Sequence, residues 1–293
     1  MVVLSGLAKV LLWAIGAGAI AYLLLCGGLW AGQRQLMFVP NRHVVGTPAT
    51  LGLDYENIWI SVGQGKMHGW WLPGRSSQSL TAENFTLLYL HGNAGNVGDH
   101  LGPASRFQAL GLSVLLVDYR GYGLSSGPFP SEAQIYEDAE SAWRYLTQER
   151  GIRPEQILIF GHSIGGAIAI DLARRVPNAA GLIVENTFTS MQDMALLQGY
   201  GAWVPVGWLL NQRFDSLGKV PDLKLPVLFI HGLADLTVPP EMSRRLYEAA
   251  PQPKWLWLMA GADHNTVAAV AGMEYDRRIE EFLQTLLSIR QAG

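Results

Sequence analysis

A chain of 293 residues is long enough for one large domain with a substantial buried core, and roughly 250 residues is an ordinary size for an α/β enzyme. The formal net charge of −3, from 21 Lys and Arg against 24 Asp and Glu, with no basic block, excludes the electrostatic footprint of a polyanion binder, so nucleic acid is not an expected partner. The single cysteine, Cys26, excludes an intramolecular disulfide framework and a cysteine-based structural zinc site.

Val10 to Ala31 contains no charged residue, and at about 1.5 Å per residue it is long enough to cross a hydrocarbon core of ~30 Å. Gly16, Gly18, Gly27 and Gly28 do not forbid a helix there, because lipid punishes unsatisfied backbone more than water does. Trp13, Tyr22 and Trp30 include candidates for an interfacial belt. The competing readings are a cleaved signal peptide and, from Leu23-Leu24-Leu25-Cys26-Gly27-Gly28, a lipoprotein signal. The apolar run exceeds a usual signal core, no small-x-small site ends it cleanly, and Leu25 stands where lipoprotein processing wants a small residue. We therefore expect an uncleaved, single-pass anchor over residues 1–32. Lys9 and the α-amine on one side nearly balance Arg34, Arg42 and His43 on the other, so the positive-inside rule leaves the orientation open.

Residues 33–54, with Pro40, Gly46 and Pro48, read as a juxtamembrane connector, and residues 55–293 as one domain. Ile58–Val62 and Lys66–Leu72 form an expected hairpin around Gly63-Gln64-Gly65. Phe85–Leu90, Ser113–Val117, Gln156–Phe160, Gly181–Val184, Pro226–Ile230 and Trp255–Met259 are near-continuous apolar runs, as parallel strands covered on both faces require. Helical patterns lie between and after them at Ser131–Glu149, Ile164–Arg175, Pro240–Ala250 and Met273–Arg290. The first opens on Ser131 with Gln134 three residues on, and the last carries Ile279, Phe282, Leu283, Leu286 and Leu287 at helical spacing. This alternation predicts an α/β fold with a mostly parallel sheet of about eight strands flanked by helices. Ligands in such sheets gather beyond the carboxyl ends of the strands.

Ser163 lies there, in Phe160-Gly161-His162-Ser163-Ile164-Gly165-Gly166, between a strand and a helix. A serine hydroxyl needs a base within hydrogen-bond reach and an acid to orient that base. The glycines suit a sharp strand-to-helix turn that presents a nucleophile, although the motif alone equally fits a Ser/Gly-rich helix cap with no chemistry. Asp235 and His264 tip the balance, each just beyond a later strand, in the order Ser, Asp, His expected of a triad of this kind. His91-Gly92-Asn93-Ala94-Gly95-Asn96 follows an earlier strand, and the backbone N–H groups of Asn93 and Ile164 are the candidate oxyanion donors. His91, His162 and His231 read as packed structural histidines, and Asp118 as a brace for its loop. Glu185, after the Gly181–Val184 strand, is the rival acid, with Asp235 preferred for its expected order and turn context. Asp263 adjoins His264 in sequence, which turns their side chains apart. No cluster has metal-ligand spacing, so no metal or cofactor is expected.

Residues 186–225 read as a cap insertion. Its apolar stretch Ala195–Leu210, with Tyr200, Trp203 and Trp208, is too short and too broken by Gly199, Gly201, Pro205 and Gly207 to be a second span. Its aromatics could line an acyl pocket, rest on the bilayer surface beside the anchor, or simply pack the cap to the core.

Over roughly residues 55–290 the chain resembles the α/β-hydrolase superfamily. His91–Asn96, Asp118-Tyr119-Arg120-Gly121-Tyr122-Gly123 and Gly161–Gly166 are similar to the branch of small hydrolases with an N-terminal hydrophobic segment. That branch includes uncharacterised bacterial membrane hydrolases and eukaryotic relatives that remove acyl groups from proteins or lysophospholipids. The resemblance implies a membrane-anchored serine hydrolase cleaving an acyl ester or thioester. The alternatives are a peptidase acting on short peptides and a catalytically silent binding protein. A haloalkane dehalogenase would need a carboxylate where this chain has Ser163.

Overall fold

In a computed structural model, residues 6–74 and 85–292 are described; the first five residues of the expected anchor and the last residue of the chain lie outside them. The apolar runs become strands because successive side chains supply opposite cores. In β4 (Thr86–Leu90), Leu88 and Leu90 enter one cluster while Leu87 and Tyr89 enter the other. β7 (Ile157–His162) divides Ile157 and Ile159 from Leu158 and Phe160, and β9 (Val227–Gly232) divides Val227 and Phe229 from Leu228 and Ile230. With β2 (Glu56–Val62), β3 (Gly65–Leu72), β6 (Ser113–Val117), β8 (Gly181–Glu185) and β10 (Lys254–Met259) they make an eight-stranded sheet in the order β10-β9-β8-β7-β4-β6-β3-β2. Only the β2–β3 and β3–β6 pairs are antiparallel.

Helices cover both faces. α3 (Glu132–Arg144), α4 (Ile164–Arg175) and α7 (Pro240–Ala249) pack on one, and α2 (Val97–Ala109) and α9 (Met273–Ala292) on the other. α3 passes into a π-helical turn at Tyr145–Glu149, so the expected helix keeps its length but changes its winding. α2 was not among the expected helices, since Gly98, Gly102 and Pro103 weaken its pattern. It is held by a capping box in which Asn96 accepts from Gly98 N, Asp99 accepts from Asn96 N, and both ends of the exchange are closed.

α1 (Gly6–Met37) is one helix of 32 residues, long and apolar enough to cross a membrane. It continues past residue 32 because its last turns are satisfied by the rest of the chain. Gln33 donates to Leu209 O at 3.1 Å and Arg34 Nε donates to Pro130 O at 2.6 Å. The chain then buries Phe38 edge-on against Phe214. A two-residue strand, β1 (Val39–Pro40), pairs with β5 (Ala94–Gly95) just beyond β4.

β4 lies between β6 and β7, so the chain runs from β4 to one side and later returns on the other. The loops after β4 and β7 therefore diverge from neighbouring strands and open a crevice, where doubly wound sheets place ligands.

Candidate active site

β7 ends at His162 and α4 begins at Ile164, leaving Ser163 alone to make the turn. Its backbone sits at φ 56°, ψ −123°, a region costly for a residue with a Cβ, and such strain persists only where the surroundings over-determine it. Here Ser163 N donates to Glu185 O at 2.9 Å and Thr187 Oγ1 donates to Ser163 O at 2.7 Å. The turn is also pressed against its neighbours. A Cβ at Gly165 would stand 2.1 Å from Leu90 O, a main-chain atom of the adjacent strand.

The loops after β9 and β10 bring Asp235 and His264 to the same sheet edge. His264 Nε2 lies 3.0 Å from Ser163 Oγ, and its Nδ1 lies 2.7 Å from Asp235 Oδ2. The tautomer consistent with both contacts has Nδ1–H donating to the carboxylate and Nε2 accepting from the hydroxyl. Asp235 is buried, which opposes its charge. Hydrogen bonds from His231, His264 and Val238 N outweigh that cost and hold the carboxyl below the usual carboxylate range. Its Oδ1 accepts from Thr237 N and Val238 N, each at 2.8 Å.

The other residues singled out from the sequence fall around this line. His231 Nε2 lies 2.8 Å from Val238 O and 3.3 Å from Asp235 Oδ2, with Nδ1 2.6 Å from Ser243 Oγ, so this packed histidine also braces the acid. His162 places Nε2 2.8 Å from His264 O. Burial, with the neighbouring His264 adding to it, pushes its pKa down to about 4. Asp118 is fully buried, accepts from Val97 N at 2.9 Å and lies 3.4 Å from His91 Nε2. Glu185 is turned elsewhere, its Oε2 accepting from Tyr275 Oη at 2.8 Å. Burial pushes its pKa up to about 7, against the Tyr275 hydrogen bond and the positive influence of His264 and Arg106. Asp263 is exposed and accepts from Asn265 N and Thr266 Oγ1.

Asn93 is held through its carbonyl and its side-chain amide nitrogen. Its carbonyl accepts from Val39 N at 3.0 Å and Tyr122 Oη at 2.8 Å, and its Nδ2 donates to Met37 O at 2.9 Å. Ile164 occupies the first position of α4, where a helix leaves its N–H groups without intrahelical acceptors. Both residues border one cavity of about 610 Å³ together with Ser163 and His264. The rest of its wall comes from the segment between β8 and β9, the loops after β9 and β10 and the end of α1, and among the described residues no Asp, Glu, Lys or Arg lines it. No group of three or more His, Cys, Asp or Glu among the described residues could hold a metal ion.

Two contributors escaped the sequence. Asn186 is fully buried at φ 49°. Its Nδ2 donates to His264 O at 2.6 Å and its Oδ1 accepts from Gly232 N at 2.9 Å, tying the loop after β10 to the end of β9. An Asn just beyond a strand was the available signal, but its partners are far away in sequence. The second is α1, which supplies Leu29, Gln33, Leu36 and Met37 to the cavity wall.

Comparison with known proteins agrees with this architecture. The sequence model of the family described as serine aminopeptidase, S33, matches residues 82–219. An uncharacterized protein of Mycobacterium tuberculosis H37Rv is 33% identical over 256 residues, covering 87% of this chain and 88% of that protein. The α/β hydrolase domain-containing protein WAV2 of Arabidopsis thaliana is 33% identical over 241 residues, covering 76% and 77%. An esterase of Pyrococcus furiosus has a similar structure, with a TM-score of 0.70 at 21% identity over 85% of this chain and 98% of that one.

Proposed function

The chain belongs to the α/β-hydrolase family, and from that premise we propose that it is a membrane-anchored serine hydrolase that cleaves acyl esters or thioesters through an acyl-enzyme at Ser163. The observation that carries this reading is the continuous line from Ser163 Oγ through His264 to Asp235, at 3.0 and 2.7 Å, opening on a cavity walled without charge.

In this mechanism His264 Nε2 takes the Ser163 proton as Oγ attacks the acyl carbonyl, and Asp235 stabilises the imidazolium without itself becoming protonated. The oxygen that gains negative charge is met by the N–H groups of Asn93 and Ile164. Each such donor is worth about 3–4 kcal/mol in comparable sites. Collapse of the intermediate breaks the bond to the leaving alcohol or thiol, which receives the proton from His264. Water, deprotonated by the same nitrogen, then attacks the acyl-enzyme and returns Ser163 to its starting state. The strained backbone of Ser163 serves this chemistry by holding Oγ clear of the helix it precedes.

The description of the matching family favours a second reading, an aminopeptidase. That activity needs an anion for the substrate's α-ammonium, since a buried unpaired charge is costly. Among the described residues the cavity wall offers no carboxylate, which supports the acyl reading. α1 serves as the anchor because all its described side chains other than Cys26 and Gln33 are left at least partly exposed, in a run of mean hydropathy 2.1, a surface that water disfavours and lipid accepts.

The test is turnover of p-nitrophenyl esters beside aminoacyl p-nitroanilides by the full chain in detergent. The proposal expects ester turnover that disappears in Ser163→Ala. Faster anilide turnover would favour the peptidase, and ester turnover unchanged in Ser163→Ala would refute the nucleophile.

A further inference from the structure

Residues 194–212 of the cap contain no charged side chain. Within them Trp203 and Trp208 are 76% and 92% exposed, beside half-exposed Leu196, Leu197 and Tyr200. The backbone here is bonded to itself, with Trp203 N and Val204 N donating to Tyr200 O and Trp208 N and Leu209 N to Pro205 O. The surface thus presents apolar side chains over a main chain much of which is bonded within the segment, which suits contact with the lipid interface.

What covers it follows from the register against α1. Val204 and Val206 pack on Cys26, with Leu29, Ala195, Leu209 and Leu210 around them. Gln33 locks this register, since its Oε1 accepts from Asn211 N at 2.9 Å and Gln212 N at 3.3 Å while its Nε2 donates to Leu209 O. Cys26 lies five residues inside the end of the uncharged run Val10–Ala31, about 7–8 Å toward the membrane interior at helical rise. A segment packed at that level sits at the depth of an interfacial helix, ~5–10 Å into the headgroup and acyl boundary. Arg34, the first cation after the run, is held by Pro130 O on the aqueous side.

The same two elements enclose the cavity over Ser163. α1 contributes Leu29, Leu36 and Met37, and the cap contributes Val204, Val206 and Leu209. The reacting serine and the lipid-facing surface are therefore two sides of one wall.

We infer that the cap segment 199–210 lies in the bilayer interface beside α1, and that the cavity between them receives an acyl chain directly from the membrane. The substrate class is then a long-chain acyl ester or thioester resident in the bilayer, carried by a lipid or by an S-acylated protein. This rests on the serine-hydrolase and anchor readings proposed above. An acyl chain reaching Ser163 by this route never exposes its methylenes to water.

The experiment uses the full chain in phosphatidylcholine vesicles. A nitroxide on Trp208→Cys reports depth, with the wild-type chain, whose one cysteine is buried, as background. Oxygen accessibility should place the label below the phosphates; a label as accessible to a water-soluble nickel complex as one on a free peptide would overturn the inference. Leu29→Trp, which fills the α1 side of the cavity, should lower kcat/KM for p-nitrophenyl palmitate at least tenfold more than for the acetate, and an equal loss on both would also overturn it. Palmitoyl-lysophosphatidylcholine and an S-palmitoyl peptide in the vesicles identify the source. Hydrolysis of either supports the inference; hydrolysis of neither, with the acetate turned over, overturns it. Fluorophosphonate labelling of the same preparation separates the two levels. Absent labelling defeats the serine-hydrolase reading itself, whereas normal labelling with a water-exposed position 208 defeats only the membrane route.

Discussion

Replacing Asp235 with Asn turns the oxygen that faces His264, and His231 at 3.3 Å, into a donor, and the structure dictates which way the amide must face. Oδ1 of Asp235 accepts from two main-chain N–H groups at 2.8 Å, while Oδ2 faces His264 Nδ1 at 2.7 Å. An amide keeps the two N–H bonds only by placing its oxygen at the Oδ1 position, so its NH₂ points at His264. Nδ1 must then accept, the ring proton moves to Nε2, and Nε2 can no longer take the proton of Ser163 at 3.0 Å. Loss of the correct tautomer in a Ser-His-Asp site costs about 10³–10⁴ in kcat, equivalent to about 4–5.5 kcal/mol of transition-state stabilisation. The effect falls on kcat, because the cavity over Ser163 does not include Asp235. Steady-state hydrolysis of p-nitrophenyl butyrate by Asp235→Asn, with thermal unfolding to confirm the fold, measures it. A loss of less than tenfold in a folded variant would refute this reasoning.

Glu185→Gln serves as the contrasting variant and should retain kcat within a few-fold; a loss matching that of Asp235→Asn would make Glu185 the orienting acid instead. Its effect is on stability. The folded protein holds the Glu185 proton up to about pH 7 against an ordinary value of 4.5. Wild-type stability is therefore greatest below the ordinary value, falls as pH rises through 7, and carries a full penalty on the order of 3 kcal/mol above it. The glutamine removes that penalty, so urea unfolding should find Glu185→Gln more stable than wild type at pH 8 and the advantage gone by pH 4.5; a difference independent of pH would count against it. Asn186→Ala leaves Gly232 N without its acceptor and His264 O with His162 alone, and should destabilise by about 1–3 kcal/mol, with a roughly tenfold lower kcat as the His264 loop loosens. Unchanged unfolding and turnover would show that Asn186 does not hold that loop.

Much of this architecture is written locally. Each central strand must fill two cores at once, so its sequence becomes a continuous apolar run, and the residues that end those runs are the ones that meet at the sheet edge. Ser163, Asp235, His264 and Asn93 each follow such a run, so their places beyond the strand ends are legible in the sequence. α2 was obscured because glycines and Pro103 dilute its periodicity, although Asn96 and Asp99 spell a capping box. The roles of Asn186 and His231 depend on partners across the fold, so their sequence neighbours carry little sign of them. The least legible feature was α1. As an apolar run it reads only as a span, and its place in the cavity wall depends on Gln33 meeting Leu209 and Asn211, contacts made between segments about 180 residues apart that no periodicity records.

Everything proposed for this site depends on Ser163 being an activated nucleophile. Incubating the full chain with a fluorophosphonate and mapping the adduct by peptide mass spectrometry tests it most directly. A single modified residue, Ser163, is expected, with the labelling rate falling steeply in His264→Ala. Failure of the folded wild-type chain to react, or an adduct on another residue with Ser163 untouched, would contradict it.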